Sequence, residues 1–309
     1  MDIVLIILGM ILVLWGADLL TDGSTTLARR MNIPQMVIGL TVVAMGTSMP
    51  EFFVSLMSAI KGNSDIAVGN VIGSNTFNTL MIVGVAAMVA PITISKHTVR
   101  KDMPFAVGAS AMLAAMGHDN EITRMEAGIL FIAFLAFMSY TLRLAKTGKS
   151  AMGEEEEARD LNPWLATFHV VLGLACLIAG SNWFIDGATS VARSLGVSNA
   201  VIGLTVVACG TSLPELATTV VAARKGLSAI AIGNVIGSNI FNILMILGIT
   251  GLVLPMDLQG ITDIDQAIML ASMLLLWGFS YTKYTVARWE GALLISVFVG
   301  YIAWLVMNI

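Results

Sequence analysis

The sequence predicts an all-α membrane protein of ten transmembrane helices, arranged as two inverted five-helix repeats with helices broken at the bilayer midplane. Three observations predict it. Of 309 residues, 57% are hydrophobic and only 12% charged, with mean hydropathy +0.88, whereas a soluble domain carries roughly one quarter charged residues. Apolar stretches long enough to cross about 30 Å of hydrocarbon recur along the whole chain. The chain also repeats itself at an offset of 164 positions, and self-similarity of this kind marks a duplicated architecture.

The spans follow from apolar runs read against Gly, Pro and charge punctuation. The first, 3–21, has Asp2 where a signal peptide would carry basic residues, so it is read as a retained helix. The second, 34–60, contains Pro50 and stops at Lys61; the third, 65–91, stops ahead of Lys96. The fourth, 103–118, follows Lys101, and the fifth, 125–145, lies between Arg124 and Lys146. In the second half the spans are 164–184, 198–223 with Pro214 inside it, 228–254, 265–281 ahead of Lys283, and 289–308 after Arg288.

Alternate loops collect thirteen of the sixteen Lys and Arg residues on one side, among them Arg29, Arg30, Arg100, Lys101, Arg143, Arg224 and Lys225. The other side has only Lys61, Arg124 and Arg193. By the positive-inside rule the rich side is cytoplasmic and both termini lie outside. The chain then divides into a first repeat, 1–146, a cytoplasmic linker, 147–162, and a second repeat, 163–309. An odd number of spans per half inverts one half relative to the other.

Residues 37–84 and 201–248 align without a gap, and 32 of those 48 positions are identical. Upstream, Gly16, Asp22, Gly23, Thr25, Ala28 and Arg29 meet Gly180, Asp186, Gly187, Thr189, Ala192 and Arg193. Shared glycines such as Gly69 and Gly73 are explained equally well by close helix packing. Packing does not explain the shared polar residues: Thr47, Ser48, Glu51, Asn70, Ser74, Asn75 and Asn78 recur as Thr211, Ser212, Glu215, Asn234, Ser238, Asn239 and Asn242 within apolar spans.

Glu51 and Glu215 are the carboxylates in the middle of predicted spans, where an ionisable group costs several kcal/mol unless paired or hydrated. Each follows a proline, Pro50 or Pro214, which offers no N–H to the carbonyl four residues earlier. The break is expected to release carbonyls near Ala44, Gly46 and Thr47, and near Ala208, Gly210 and Thr211, toward a cavity. Helical spacing puts Thr47 with Glu51 and Ser74 with Asn78, and their counterparts likewise, on common faces. Carboxylate, hydroxyl, amide and backbone oxygen are hard donors, suited to calcium and alkali cations and not to zinc or copper. Two negative charges match one calcium. Two or three sodium ions in the same cavity would bring it to neutrality or one excess charge, and protons compete for any carboxylate held away from water.

The segments GTSMPEFFVSLMSAIKGNSDIAVGNVIGSNTFN and GTSLPELATTVVAARKGLSAIAIGNVIGSNIFN resemble the two alpha-repeats of the sodium/calcium exchanger branch of the calcium/cation antiporter superfamily. The resemblance implies that the second, third, seventh and eighth helices surround a midplane site while the first and sixth slide across them. It implies calcium ligands at Glu51 and Glu215, helped by the Thr47 and Thr211 carbonyls. Sodium ligands would fall at Ala44, Ser48, Ser74, Ala208, Thr211, Ser212 and Ser238, with Asn78 and Asn242 completing the layer. Some members carry aspartate where this chain has Asn242, which leaves stoichiometry, potassium dependence and proton sensitivity open. The short linker cannot hold the folded regulatory domain of large relatives.

The expected function is exchange of calcium for sodium by alternating access at a single site; calcium/proton antiport through the same carboxylates is the alternative. A passive channel would also tolerate midplane glutamates, but inverted repeats with broken helices favour alternating access. An enzyme is disfavoured, since one Glu per half offers no cluster to activate a water. The expected partners are calcium, sodium, with proton or potassium as competitors, and membrane lipid, with no nucleic acid, protein partner or cofactor. The minimal length resembles a prokaryotic inner membrane protein. Asp22 and Asp186 are read as turn residues at span ends, the glutamates at 154–157 as a solvated linker, and His97, His118 and His169 as interfacial. Cys176 and Cys209 are read as core residues, and the methionines as packing or lipid-facing.

Overall fold

The computed structural model describes residues 2–147, 162–196, 208–258 and 261–307. The central linker with its acidic run, and the first half of the expected seventh span, lie outside the described residues. Among the described residues the regular elements are helices apart from four two-residue strands. In order the helices are α1 (Asp2–Arg30), α2 (Gln35–Thr47), α3 (Met49–Ile60), α4 (Ser64–Val89), α5 (98–116), α6 (Arg124–Thr147), α7 (Pro163–Ser194), α8 (Ala208–Thr211), α9 (Leu213–Arg224), α10 (Ser228–Val253), α11 (Asp263–Lys283) and α12 (Arg288–Met307).

Among the described residues, seven of these helices are long and apolar enough to cross a membrane, or eight if α2 and α3, bent by 47° at their junction, form one span. Helix α5 falls short because its first turn carries Arg100, Lys101 and Asp102. Helices α8 and α9 fall short because the residues preceding them lie outside the described set.

Helix α1 runs three turns beyond the sequence-based boundary, and α7 extends likewise. Its polar continuation stays helical because hydroxyls bond back along the turn: Thr21 donates to the Ala17 carbonyl at 2.7 Å and Thr25 to the Thr21 carbonyl at 2.8 Å. Such bonding hides the hydroxyl from lipid. Asp22 and Asp186 therefore lie inside helices and not in turns, which corrects the sequence reading. Asp22 instead holds Lys225, which follows α9, at 2.6 Å, and Asp18 joins the same ammonium at 2.5 Å.

Helices α1 and α7 form the most extensive helix pair. Their seam is made of glycines at seven-residue spacing. A Cβ at Gly9 would stand 2.6 Å from the Gly180 carbonyl, and one at Gly173 would stand 2.7 Å from the Gly16 carbonyl. Only hydrogen fits there, so the antiparallel backbones touch.

The 164-residue offset persists through the architecture. Strand β1 (Ile92–Thr93) pairs antiparallel with β4 (Thr285–Val286), and β2 (Glu121–Ile122) with β3 (Met256–Asp257). Each pair joins one half to the other. Helix α6 packs on the end of α10, and its counterpart α12 packs on the end of α4. The two sequence halves are thus interlocked, with α4 and α10 as the buried centre of the bundle. Cys209, expected in the core, is exposed, whereas Cys176 is buried.

Candidate cation site

The break between α2 and α3 falls at Ser48, whose ψ of 7° leaves the helical region, and the matching break falls at Ser212, ψ 8°. Pro50 and Pro214 sit in the first turn after each break, where a missing N–H costs nothing. Helices α4 and α10 carry the facing residues and widen to π-helical turns at Asn78–Ile82 and Phe241–Ile246. A π turn rotates the side chains that follow it and is common at functional positions.

These elements bring the two repeats face to face. Ser48 donates to Glu215 Oε1 at 2.9 Å and Ser212 donates to Glu51 Oε1 at 3.0 Å, two contacts exchanged by the repeat. Ser212 also lies 3.4 Å from the Ser74 hydroxyl. Asn78 donates to Asn239 Oδ1 at 3.2 Å, and Asn242 to Asn75 Oδ1 at 3.0 Å, again an exchanged pair. Both glutamates, with Thr47, Ser48, Ser74, Asn78, Thr211, Ser212, Ser238 and Asn242, are buried.

The carboxylates are fixed from behind as well. Asn70 donates to the Glu51 carbonyl at 3.3 Å and to Ser55 Oγ at 3.0 Å; Asn234 does the same to the Glu215 carbonyl at 3.3 Å and Thr219 Oγ1 at 2.9 Å. Asn234 also accepts from the Thr47 hydroxyl at 3.1 Å. Asn70, Asn75, Asn234 and Asn239 had been singled out in the sequence only as repeated polar residues; their identity across repeats was the signal that they frame the site.

The Ala44 carbonyl accepts from the Ser48 N–H at 3.0 Å, as in an unbroken helical turn. After a π-helical turn at Gly39–Val43 the chain is α-helical over Ala44–Thr47 and opens at Ser48. Ala208 begins α8, and its side chain is outside the described set.

After these bonds, Oε2 of Glu51, Oε2 of Glu215, Oδ1 of Asn78, Oδ1 of Asn242 and Oγ of Ser238 remain buried with no partner. Buried polar atoms are nearly always paired, so five orphaned oxygens in one duplicated layer set this layer apart. Among the described residues, no three His, Cys, Asp or Glu side chains gather elsewhere as a metal cluster.

Fold and site together define a membrane transporter for cations. A sequence model of the family described as sodium/calcium exchanger protein matches residues 1–143 and 165–307, and the chain belongs to that family. It is 38% identical over 311 residues to the putative antiporter CaxA of Alkalimonas amylolytica, covering 96% of both chains. It is 32% identical over 346 residues to the sodium/calcium exchanger MaX1 of Methanosarcina acetivorans, covering 97% of both. Among solved structures, the sodium-calcium exchanger NCX_Mj superposes with TM-score 0.87 at 31% identity, covering 98% of each chain.

Proposed function

We infer that this protein exchanges calcium for sodium by alternating access, with Glu51 and Glu215 sharing one ion site. The observation that carries the reading is the set of orphaned oxygens on Glu51, Glu215, Asn78, Asn242 and Ser238. Calcium takes about six to eight oxygens, and two carboxylates balance its charge. Replacement by sodium ions in the same layer couples the two fluxes. MaX1 is named as a sodium/calcium exchanger, and NCX_Mj was soaked with sodium and with strontium, a divalent cation of the calcium type.

The topology that goes with this reading has ten spans in two inverted halves. It adds α5 and the α8–α9 segment to the eight apolar spans, with both termini outside and the linker in the cytoplasm of a prokaryotic inner membrane. Alternating access is supported by the α1–α7 seam, whose direct backbone contact joins the two helices into one unit that can move across the bundle. It is supported also by α7 side chains seated on both breaks: a Cβ on Gly46 or Gly210 would come within 2.3 Å of Leu174 or Ile185. Movement of α7 therefore bears on both approaches to the site.

Calcium uptake into proteoliposomes tests this, with a sodium gradient and a pH gradient imposed separately. Uptake driven by sodium and lost in Glu51→Gln and Glu215→Gln is the expected result. Uptake driven by pH alone makes the protein a calcium/proton antiporter, flux without a counter-gradient makes it a channel, and full activity in both variants removes the site.

A further inference from the structure

Away from the ion layer, a cavity of about 320 Å³ opens between the start of α5 and the middle of α6, lined by Lys101, Asp102, Phe105, Ala136, Phe137 and Tyr140. Asp102 is only 2% exposed, and its Oδ2 has no hydrogen-bond partner. Phe105 and Phe137 stack with ring centroids 4.8 Å apart, and the Tyr140 hydroxyl is 3.1 Å from His97 Nε2. Ala136 and Tyr140 are exposed on the α6 face that also presents Ile132 and Leu135, so the mouth looks toward lipid. Lys101 and Arg100 stand exposed on the α5 side, and Arg143 lies one turn along α6 from Tyr140.

The duplication provides an internal control. At the matching place, Asp102 becomes Gln266, Lys101 becomes Asp265 and Phe137 becomes Tyr301. There the Gln266 amide donates to the Gly117 carbonyl at 3.5 Å, and the Tyr301 hydroxyl donates to Asp265 Oδ1 at 2.6 Å. That place is built around a neutral amide, whose Oε1 is likewise buried without a partner. The fold therefore does not require a carboxylate at this place, yet the first half buries one where the second half has a neutral amide.

We propose that this cavity binds the headgroup of an aminophospholipid, its primary ammonium donating to Asp102 and its phosphate held by Lys101 and Arg100. An orphaned carboxylate oxygen needs an N–H, and a primary ammonium carries three. A quaternary ammonium carries none, and an anionic headgroup would set like charge beside Asp102. The aromatic wall of Phe105, Phe137 and Tyr140 favours a cation over a neutral group, and the basic rim outside it suits a phosphate. The charge order of the cavity, negative inside and positive at the mouth, is the reverse of the headgroup's.

Native mass spectrometry of the delipidated full chain tests the site, with phosphatidylethanolamine, phosphatidylcholine, phosphatidylglycerol and soluble phosphoethanolamine as probes. Phosphatidylethanolamine should be retained at one site about tenfold better than the other two lipids, the worth of one charge-assisted hydrogen bond. Asp102→Asn should abolish that preference through the carboxylate, and Ala136→Phe should abolish it by filling the mouth, while Gln266→Ala leaves it intact. Equal retention of the three lipids, or a preference that survives both variants, overturns the proposal. Soluble phosphoethanolamine binding as tightly as the lipid overturns the membrane source of the ligand. The measurement requires neither calcium nor transport, so its failure leaves the exchange reading untouched.

Discussion

The Ser48 hydroxyl donates to Oε1 of Glu215 at 2.9 Å, across the boundary between the two repeats. Its counterpart, Ser212 to Oε1 of Glu51 at 3.0 Å, returns the contact. Each serine sits at a helix break and engages one oxygen of the other half's carboxylate, and Oε2 is left without a partner. A hydrogen bond to a charged group contributes about 1.5–3 kcal/mol. Ser48→Ala and Ser212→Ala should therefore each weaken calcium binding by roughly tenfold or more, and by similar factors, in calorimetric titrations. A loss in one variant with no change in the other would contradict the reciprocity.

Asn234 is fully buried and joins three groups: the Glu215 carbonyl, Thr219 and Thr47. Asn70 makes the matching bonds from a partly exposed position. Replacing Asn234 by Leu strands buried donors and acceptors at about 1–3 kcal/mol each. Asn70→Leu strands fewer groups, and Ser55 keeps its bond to the Ala67 carbonyl at 3.2 Å. Thermal unfolding in detergent should rank Asn234→Leu well below Asn70→Leu in stability.

Gly16 lies where a Cβ would come within 2.8 Å of the Gly173 carbonyl, whereas a Cβ at Gly108 meets nothing within 4 Å. Gly16→Ala and Gly173→Ala should each cost about 1–3 kcal/mol by overpacking and slow transport, since they wedge α1 from α7. Gly108→Ala should do neither. Paired melting and uptake measurements on the three variants check this.

The Lys225 ammonium binds Asp22 and Asp18 with these side chains 29%, 21% and 51% exposed. A pair this open to solvent contributes at most about 1 kcal/mol and is screened at high salt. Lys225→Glu should lower stability in low salt only, and adding Asp22→Lys should restore it. Rescue absent from the double variant would mean that the bridge does not tie α1 to the turn after α9.

Much of the site was legible in the sequence because duplication labels it: Glu51 with Glu215, and Ser48 with Ser212, recur in one register inside apolar spans. Helix ends were less legible. Hydropathy closes α1 near Leu20 because it scores Thr21 and Thr25 as polar, while each hydroxyl is satisfied by a carbonyl one turn back. Asp22 was misread for the same reason, its partner Lys225 being 203 positions away. The Asp102 cavity gave no signal, because its walls come from two helices whose separation only packing sets.

By itself the sequence determined what the core is made of: apolar spans, two proline breaks and a doubled set of hard oxygen donors, all local properties of residue type and spacing. Only the tertiary structure decided which of those oxygens face one another. The contacts that build the site run between residues 161 and 167 positions apart, and they exist because the interlocked halves press α4 and α10 together at the centre. That packing set Ser48 on Glu215. It also left Oε2 of both glutamates without a partner, since a hydrogen bond depends on distances that spacing along the chain does not encode.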